Sequence, residues 1–296
     1  DIENTFFGLH GNSSGDSNLM PWLGARWCST GVYQTKSEAE QHIERKRTSL
    51  WTNWKTYTYV PYRFTSNPYQ FWTREQIEKH AWSRRTAIGP YTRFTDAEGK
   101  KLYIQANAKL AKYGLLYQGD NDVMRYQPLW EPDLIMTNAQ IEEIYRAARQ
   151  GLHSTDPNAL VLGPCFHSIH ASSVSKMEEL FKLGFLDYID EFTIHPYIRY
   201  PVEANGLVQN IRRLKGLIKK YSKGRDIKIR GNESGYSAIN TSSQELVQMY
   251  GQVRTTLIML GEGFASNEPF FGFDHDKKCV GDYGLTYNLM MPEKIW

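Results

Sequence analysis

The sequence predicts an α/β fold, a single (β/α)8 TIM barrel that takes in residues 1–296. Three observations carry this. β-rich runs alternate with helix-like runs along the chain, the signature of parallel βα units. Eight such strands fit within the length of one barrel domain. The residues that close these runs are polar and reactive, as expected where a barrel builds its site. No low-complexity segment and no Pro-, Gly- or Ser-rich linker divides the chain, so one domain is expected.

In order, Phe6–His10 reads as the first strand, Ser17–Leu23 as a short helix and Ala25–Ser29 as the second strand. Ser37–Thr52 is expected to be helical: Glu38, Glu40 and Glu44 interleave with Lys36, Arg45 and Lys46, and Ser37 suits a cap. Thr56–Tyr62 is the third strand. Residues 63–99 follow as an irregular insertion rich in Arg, Trp and Tyr. Lys100–Tyr113 has Leu102, Ile104, Ala106, Leu110 and Ala111 mainly on one helical side.

Tyr126–Glu131 is the fourth strand, expected to stop at its carboxylate because Pro132 removes a ladder donor and restricts the residue before it. Asn138 caps a helix over Ala139–Leu152. Leu160–Pro164, Glu191–Tyr197, Ile227–Tyr236 and Glu268–Asp274 are strands five to eight. Ser173–Leu183, Val202–Tyr221 and Ser243–Leu260 are the helices between them. After Leu285 the chain reaches Trp296 without room for an eighth helix, so an incomplete or truncated last helix is expected.

Bulk properties narrow the function. A hydrophobic content of 41% and a charged content of 23% are ordinary for a globular protein. No apolar run reaches membrane-spanning length. A net charge of +3, with no Lys/Arg block among aromatics, argues against nucleic acid. Aromatics make up 14% of residues, which fits either a large aromatic core or a groove whose rings stack on sugars or bases. Cys28, Cys165 and Cys279 have no metal-like spacing and allow at most one disulfide. The chain starts at Asp1, as after removal of a leader, and the expected location is extracellular or periplasmic.

Two strand-end carboxylates stand out. Glu131 lies in Trp130-Glu131-Pro132-Asp133, and Glu233 in Asn232-Glu233-Ser234-Gly235-Tyr236. Such a pair is what glycoside hydrolysis requires: one acid to protonate the leaving oxygen and one carboxylate to attack the sugar carbon. Other strand-end residues are His10, Arg26, Tyr62, His167, His195, Tyr197, Asp274 and His275. His167 with His170, and His275 with Asp276, are too sparse in further ligands for a metal site, so neither metal nor cofactor is expected. Basic residues near strand tops, among them Arg26, Arg63, Arg93, Arg199 and Lys277, fit solvated loop charge or recognition of an anionic sugar.

At these residues the chain resembles clan A glycoside hydrolases, and is most like family 39 and its neighbours. The resemblance runs from about Phe6 to the end and is strongest from Lys100 to Asp274. Trp130-Glu131-Pro132-Asp133 resembles the fourth-strand Asn-Glu-Pro, which implies that Glu131 is the acid/base. Gly163-Pro164 resembles the fifth-strand Gly-Pro. Ile194-His195-Pro196-Tyr197 resembles the sixth-strand His-x-Tyr that holds nucleophile and sugar. Glu233-Ser234-Gly235-Tyr236 resembles the seventh-strand Glu-x-Gly-aromatic, which implies that Glu233 is the nucleophile. The separation, 233 − 131 = 102 residues, is normal for strands four and seven.

Trp130 departs from the pattern, standing where the clan has the Asn that binds the sugar 2-hydroxyl. The expectation is a retaining glycosidase acting on a polysaccharide or oligosaccharide, anionic or sulfated. Glu131 and Glu233 are the expected catalytic residues. Trp130, His167, His195, Tyr197 and Asn232 join His10, Arg26, Asp274 and His275 in binding substrate. The alternative expectation is an inactive carbohydrate-binding barrel.

Overall fold

The computed structural model describes residues 6, 8–9, 27–31, 60–65, 67–83, 91–117, 123–236 and 242–269. Eight strands form one sheet in which every pairing is parallel. They are β1 (Gly8–Leu9), β2 (Trp27–Gly31), β3 (Val60–Thr65), β6 (Arg125–Gln127), β7 (Leu160–Phe166), β8 (Glu191–Ile194), β9 (Lys228–Ser234) and β10 (Ser266–Pro269), adjacent in that order. The Asn267 amide donates to the Phe6 carbonyl at 2.9 Å, which brings the chain before β1 to the last strand of the order. Two further strands, β4 (Ala81–Ser83) and β5 (Thr92–Phe94), pair antiparallel as a separate hairpin.

The sheet is parallel because helices carry the chain back between its strands. These are α2 (Ala97–Tyr117) before β6, α3 (Asn138–His153) before β7, α4 (Ala171–Lys182) before β8, α5 (Leu207–Tyr221) before β9 and α6 (Ser242–Gly261) before β10. The short α1 (Arg74–His80) precedes the hairpin. β8 is buried along its whole length, and β7 along all but its first residue, as strands covered on both faces must be.

α3 turns a continuous stripe inward: Ile141, Ile144, Tyr145, Ala148 and Leu152 are at most 2% exposed. Each large apolar side chain buried in this way contributes about 1.5–3 kcal/mol. α5 does the same with Leu207, Ile211, Leu214 and Ile218.

The structure corrects several sequence expectations. Helix α3 is capped by Thr137, not Asn138: the Thr137 hydroxyl accepts from the Gln140 amide while the Gln140 side chain accepts from the Thr137 amide. The stretch read as irregular holds the capped helix α1 and the β4–β5 hairpin. The fourth strand is shorter than read. It ends at Gln127, and Glu131 lies four residues further on. The expected helices Ser17–Leu23 and Ser37–Thr52 lie outside the described residues, as does the eighth strand beyond Pro269.

One contact sets the distance between α2 and α3. A Cβ on Gly151 would sit 2.3 Å from the Ile104 carbonyl oxygen and 2.7 Å from Asn107 Cβ. A backbone carbonyl cannot retreat without moving its helix, so Gly151→Ala is expected to destabilise the protein by about 1–3 kcal/mol. A urea denaturation midpoint unchanged from the native protein would contradict this.

Candidate active site

The reactive residues gather at the C-terminal ends of β6, β7, β8 and β9. Glu131 reaches this position by an unusual route. It has φ 43° and ψ 48°, left-handed backbone that a non-glycine residue rarely adopts. The residue before a proline favours an extended conformation, so the sequence pointed to a strand end. Two hydrogen bonds hold it otherwise: its amide donates to the Cys165 carbonyl at 2.9 Å, and its carbonyl accepts from the Leu134 amide at 3.2 Å. The Pro132–Leu134 turn thus docks on the end of β7 and carries Glu131 with it.

β7 and β9 each depart from regular pairing where the site is built. Opposite β8, Pro164 pairs with Thr193 and Phe166 with Ile194, so Cys165 is an extra residue on β7. It has φ 62°, and such a bulge re-aims the side chain it carries. Opposite β10, Gly231 pairs with Asn267 and Ser234 with Pro269, which sets the Asn232–Glu233 step out of register in the same way.

His195 follows β8 directly and is fully buried. Its Nδ1 is 2.8 Å from Glu131 Oε1, and its Nε2 is 3.1 Å from Cys165 Sγ and 3.7 Å from Glu233 Oε2. The Trp130 ring meets the imidazole edge-on at 4.6 Å between centroids. The Tyr197 hydroxyl donates to Glu233 Oε1 at 2.8 Å. One donor atom each of Glu131, His195 and Glu233 lies within 4.8 Å of the others, and among the described residues these three side chains are the group able to converge on a cation.

Of the expected site residues, the structure brings Glu131, Glu233, His195, Tyr197 and Trp130 together. Asn232 is fully buried, and its amide donates to Gln127 Oε1 at 2.7 Å. His167 sits at the rim with its side chain 40% exposed, and both its backbone amide and its Nδ1 engage the Asp133 carboxylate. That hydrogen bond raises the His167 pKa above the usual imidazole value, against the opposing effect of burial; attraction by Asp133 and Glu131 adds to the rise. His10, Arg26, Asp274 and His275 lie outside the described residues.

Sequence reasoning missed Cys165 and Gln127. Cys165 is fully buried. Its one sequence signal is its place after Gly163-Pro164, since the spacing of the three cysteines carries none. Gln127 gave none, since a buried strand-end amide reads like any polar residue.

No protein-family model matches the chain. No curated protein matches it either. Solved structures do. A family 39 glycoside hydrolase from the gut symbiont Bacteroides cellulosilyticus superposes with a TM-score of 0.65 at 14% identity, over 97% of this chain and 61% of that one. A β-D-glucuronidase of Dictyoglomus thermophilum gives 0.58 at 14% identity, over 96% of this chain and 47% of that one. BuGH86 in complex with neoagarooctaose gives 0.59 at 11% identity, over 96% and 58%. The chain thus spans less than two thirds of each. At these identities the likeness is one of fold, an α/β fold with a parallel sheet shared with family 39 and related glycoside hydrolases.

Proposed function

We propose that the chain is a retaining glycoside hydrolase, built as one catalytic (β/α)8 barrel over residues 1–296 and acting on a polysaccharide or oligosaccharide. One observation carries this reading: donor atoms of Glu131 and Glu233 lie within 4.8 Å of each other at the C-terminal ends of parallel strands. Retaining enzymes hold their carboxyl groups about 5–5.5 Å apart, and inverting enzymes about 6.5–9.5 Å, to leave room for a water. The 2.9 Å bond from Asn267 to Phe6 supports a closed sheet.

In this mechanism Glu233 attacks the anomeric carbon as the bond to the leaving oxygen breaks. The Tyr197 hydroxyl, donating to Glu233 Oε1 at 2.8 Å, orients the attacking carboxylate. Glu131 protonates the departing oxygen, then removes a proton from the water that releases the sugar.

A sugar-binding protein without turnover does not need two carboxylates this close, and release of reducing ends from a polysaccharide panel separates the two readings. Early-time NMR of the product is expected to show the substrate's own anomeric configuration; the opposite anomer would sink the retaining assignment. Glu131→Gln is expected to lose about 10²- to 10⁴-fold on substrates with poor leaving groups. It should keep most activity on an activated aryl glycoside, whose departure needs no proton. Equal losses on both would remove Glu131 from the acid/base role.

The substrate we propose is anionic, a uronate-bearing or sulfated glycan. His167 stays protonated to higher pH than an ordinary imidazole, and Arg199 is exposed beyond β8. One structural neighbour is by name a glucuronidase. Turnover of a sulfated polymer is expected to exceed that of its desulfated form and to fall in about 0.5 M salt, where exposed charges are screened. Affinity for the anionic polymer should also drop as the pH rises through the raised His167 pKa, because the imidazolium is then lost. Equal turnover of both polymers, unaffected by salt, would exclude anionic recognition.

A further inference from the structure

The imidazole of His195 stands between the proposed acid/base and a thiol. Nδ1 faces Glu131 Oε1 at 2.8 Å, and Nε2 faces Cys165 Sγ at 3.1 Å. All of Cys165 and His195 is buried. The thiol has a second neighbour. Asn232 Nδ2 points an N–H at Sγ from 3.6 Å and gives its shorter bond, 2.7 Å, to Gln127. Asn232 Oδ1, the competing acceptor for the thiol proton, is 4.0 Å from Sγ.

These distances give the thiol a direction. Sγ accepts from Asn232 on one side, and Nε2, at 3.1 Å, is nearer to it than Asn232 Oδ1, at 4.0 Å. One proton is then shared between Sγ and Nε2. Whether it rests on sulfur or on nitrogen, Nδ1 keeps its own hydrogen and donates it to Glu131 Oε1. The hydrogen bond made by one ring nitrogen sets the protonation of the other.

We propose, on the basis of the glycosidase reading above, that Cys165 is a positioning residue for Glu131: acting through His195, its thiol keeps Nδ1 the donor to Glu131 Oε1. The consequence is chemical. With Oε1 occupied as an acceptor, the acidic proton of Glu131 rests on Oε2. From there it passes to the leaving oxygen as the glycosidic bond breaks, and Oε2 takes a proton back from the attacking water as the sugar–enzyme bond breaks. Without the thiol, Nε2 faces Glu233 Oε2 at 3.7 Å, an acceptor that favours the hydrogen on Nε2. Nδ1 then presents a lone pair to Oε1 and draws the acidic proton away from the leaving group. The bulge at Cys165 is what aims Sγ at this nitrogen.

Two measurements test this. Nitrogen-15 NMR of the imidazoles, with the His195 signals assigned from a His195→Asn variant, is expected to show Nδ1 protonated in the native protein and Nε2 protonated in Cys165→Ala. Kinetics on aryl glucuronides and galactosides of graded leaving-group acidity are expected to show Cys165→Ala losing roughly 10- to 100-fold on the poorest leaving groups and at most a few-fold on dinitrophenyl glycosides. Cys165→Ser, whose hydroxyl donates to Nε2, should restore most of the loss. A loss uniform across leaving groups, or Nδ1 still protonated in Cys165→Ala, overturns the proposal. If Cys165→Ala does not fold, the native spectrum decides, and His195 with hydrogen on Nε2 alone overturns it. A native protein inert on every glycoside sinks the glycosidase reading instead, while the tautomer spectrum still decides the positioning role.

Discussion

Glu233→Gln is expected to fold and bind sugar as the native protein does and to lose turnover by roughly 10⁴-fold or more, the scale seen when a covalent nucleophile is removed. The side chain is 8% exposed and accepts a hydrogen bond from Tyr197 at 2.8 Å. The amide oxygen of Gln accepts the same bond and occupies the same volume, so the change costs little in structure. The chemistry is lost, because an amide does not displace the leaving oxygen to form the glycosyl–enzyme bond. Circular dichroism and sugar binding should match the native protein while product release disappears. Substantial turnover in Glu233→Gln would remove Glu233 from the nucleophile role.

The largest effect on stability is expected deep in the sheet. Glu191 opens β8 and receives two hydrogen bonds from Arg230 of β9, at 2.8 and 3.1 Å, with Arg125 of β6 at 3.5 Å. The carboxylate side chain is 5% exposed, and the two guanidinium side chains are 0% and 6% exposed. Burial pushes the Glu191 pKa up. Attraction by Arg230, its hydrogen bonds, and the charges of Arg125 and Lys228 outweigh this and leave the pKa below the usual carboxylate value.

Replacing Glu191 with Gln removes the negative charge that Arg230 and Arg125 share in this buried cluster, at a cost of about 3–5 kcal/mol. The pH dependence follows from the lowered pKa. The stabilisation is complete above the ordinary glutamate pKa of about 4.3 and is lost as pH falls through the lower, folded-state value. Thermal melts from neutral to acid pH should therefore show the native protein converging on Glu191→Gln at the acid end. A constant gap between the two, or none at neutral pH, would contradict the role given to this cluster.

Some of this was legible in residue order. The helical spacing of Ile141, Ile144, Tyr145 and Ala148 marked the buried face of α3, because a stripe at that period is set by local geometry. His195 and Tyr197 were legible as candidates because polar residues close the β-rich run Glu191–Tyr197, and the structure places both beside Glu233. Other features were illegible. Nothing near Pro132 signals left-handed backbone at Glu131, since the bond that holds it comes from Cys165, thirty-four residues away in sequence.

What the sequence alone determined is the alternation of parallel βα units, and it named two carboxylates at the ends of β-rich runs, Glu131 and Glu233, as the candidates. Both depend on local pattern: periodicity, proline and glycine placement, and residue type at the end of a run. Only the tertiary structure decided how these groups meet. It set the Asn232–Glu233 step out of register on β9, turned Cys165 towards His195 with an extra residue on β7, and bonded Asn232 to Gln127. The reason is physical. A bulge is fixed by the register between two strands, and the surroundings of the His195 ring by two strands and a turn. Neither is a property of any contiguous stretch of residues.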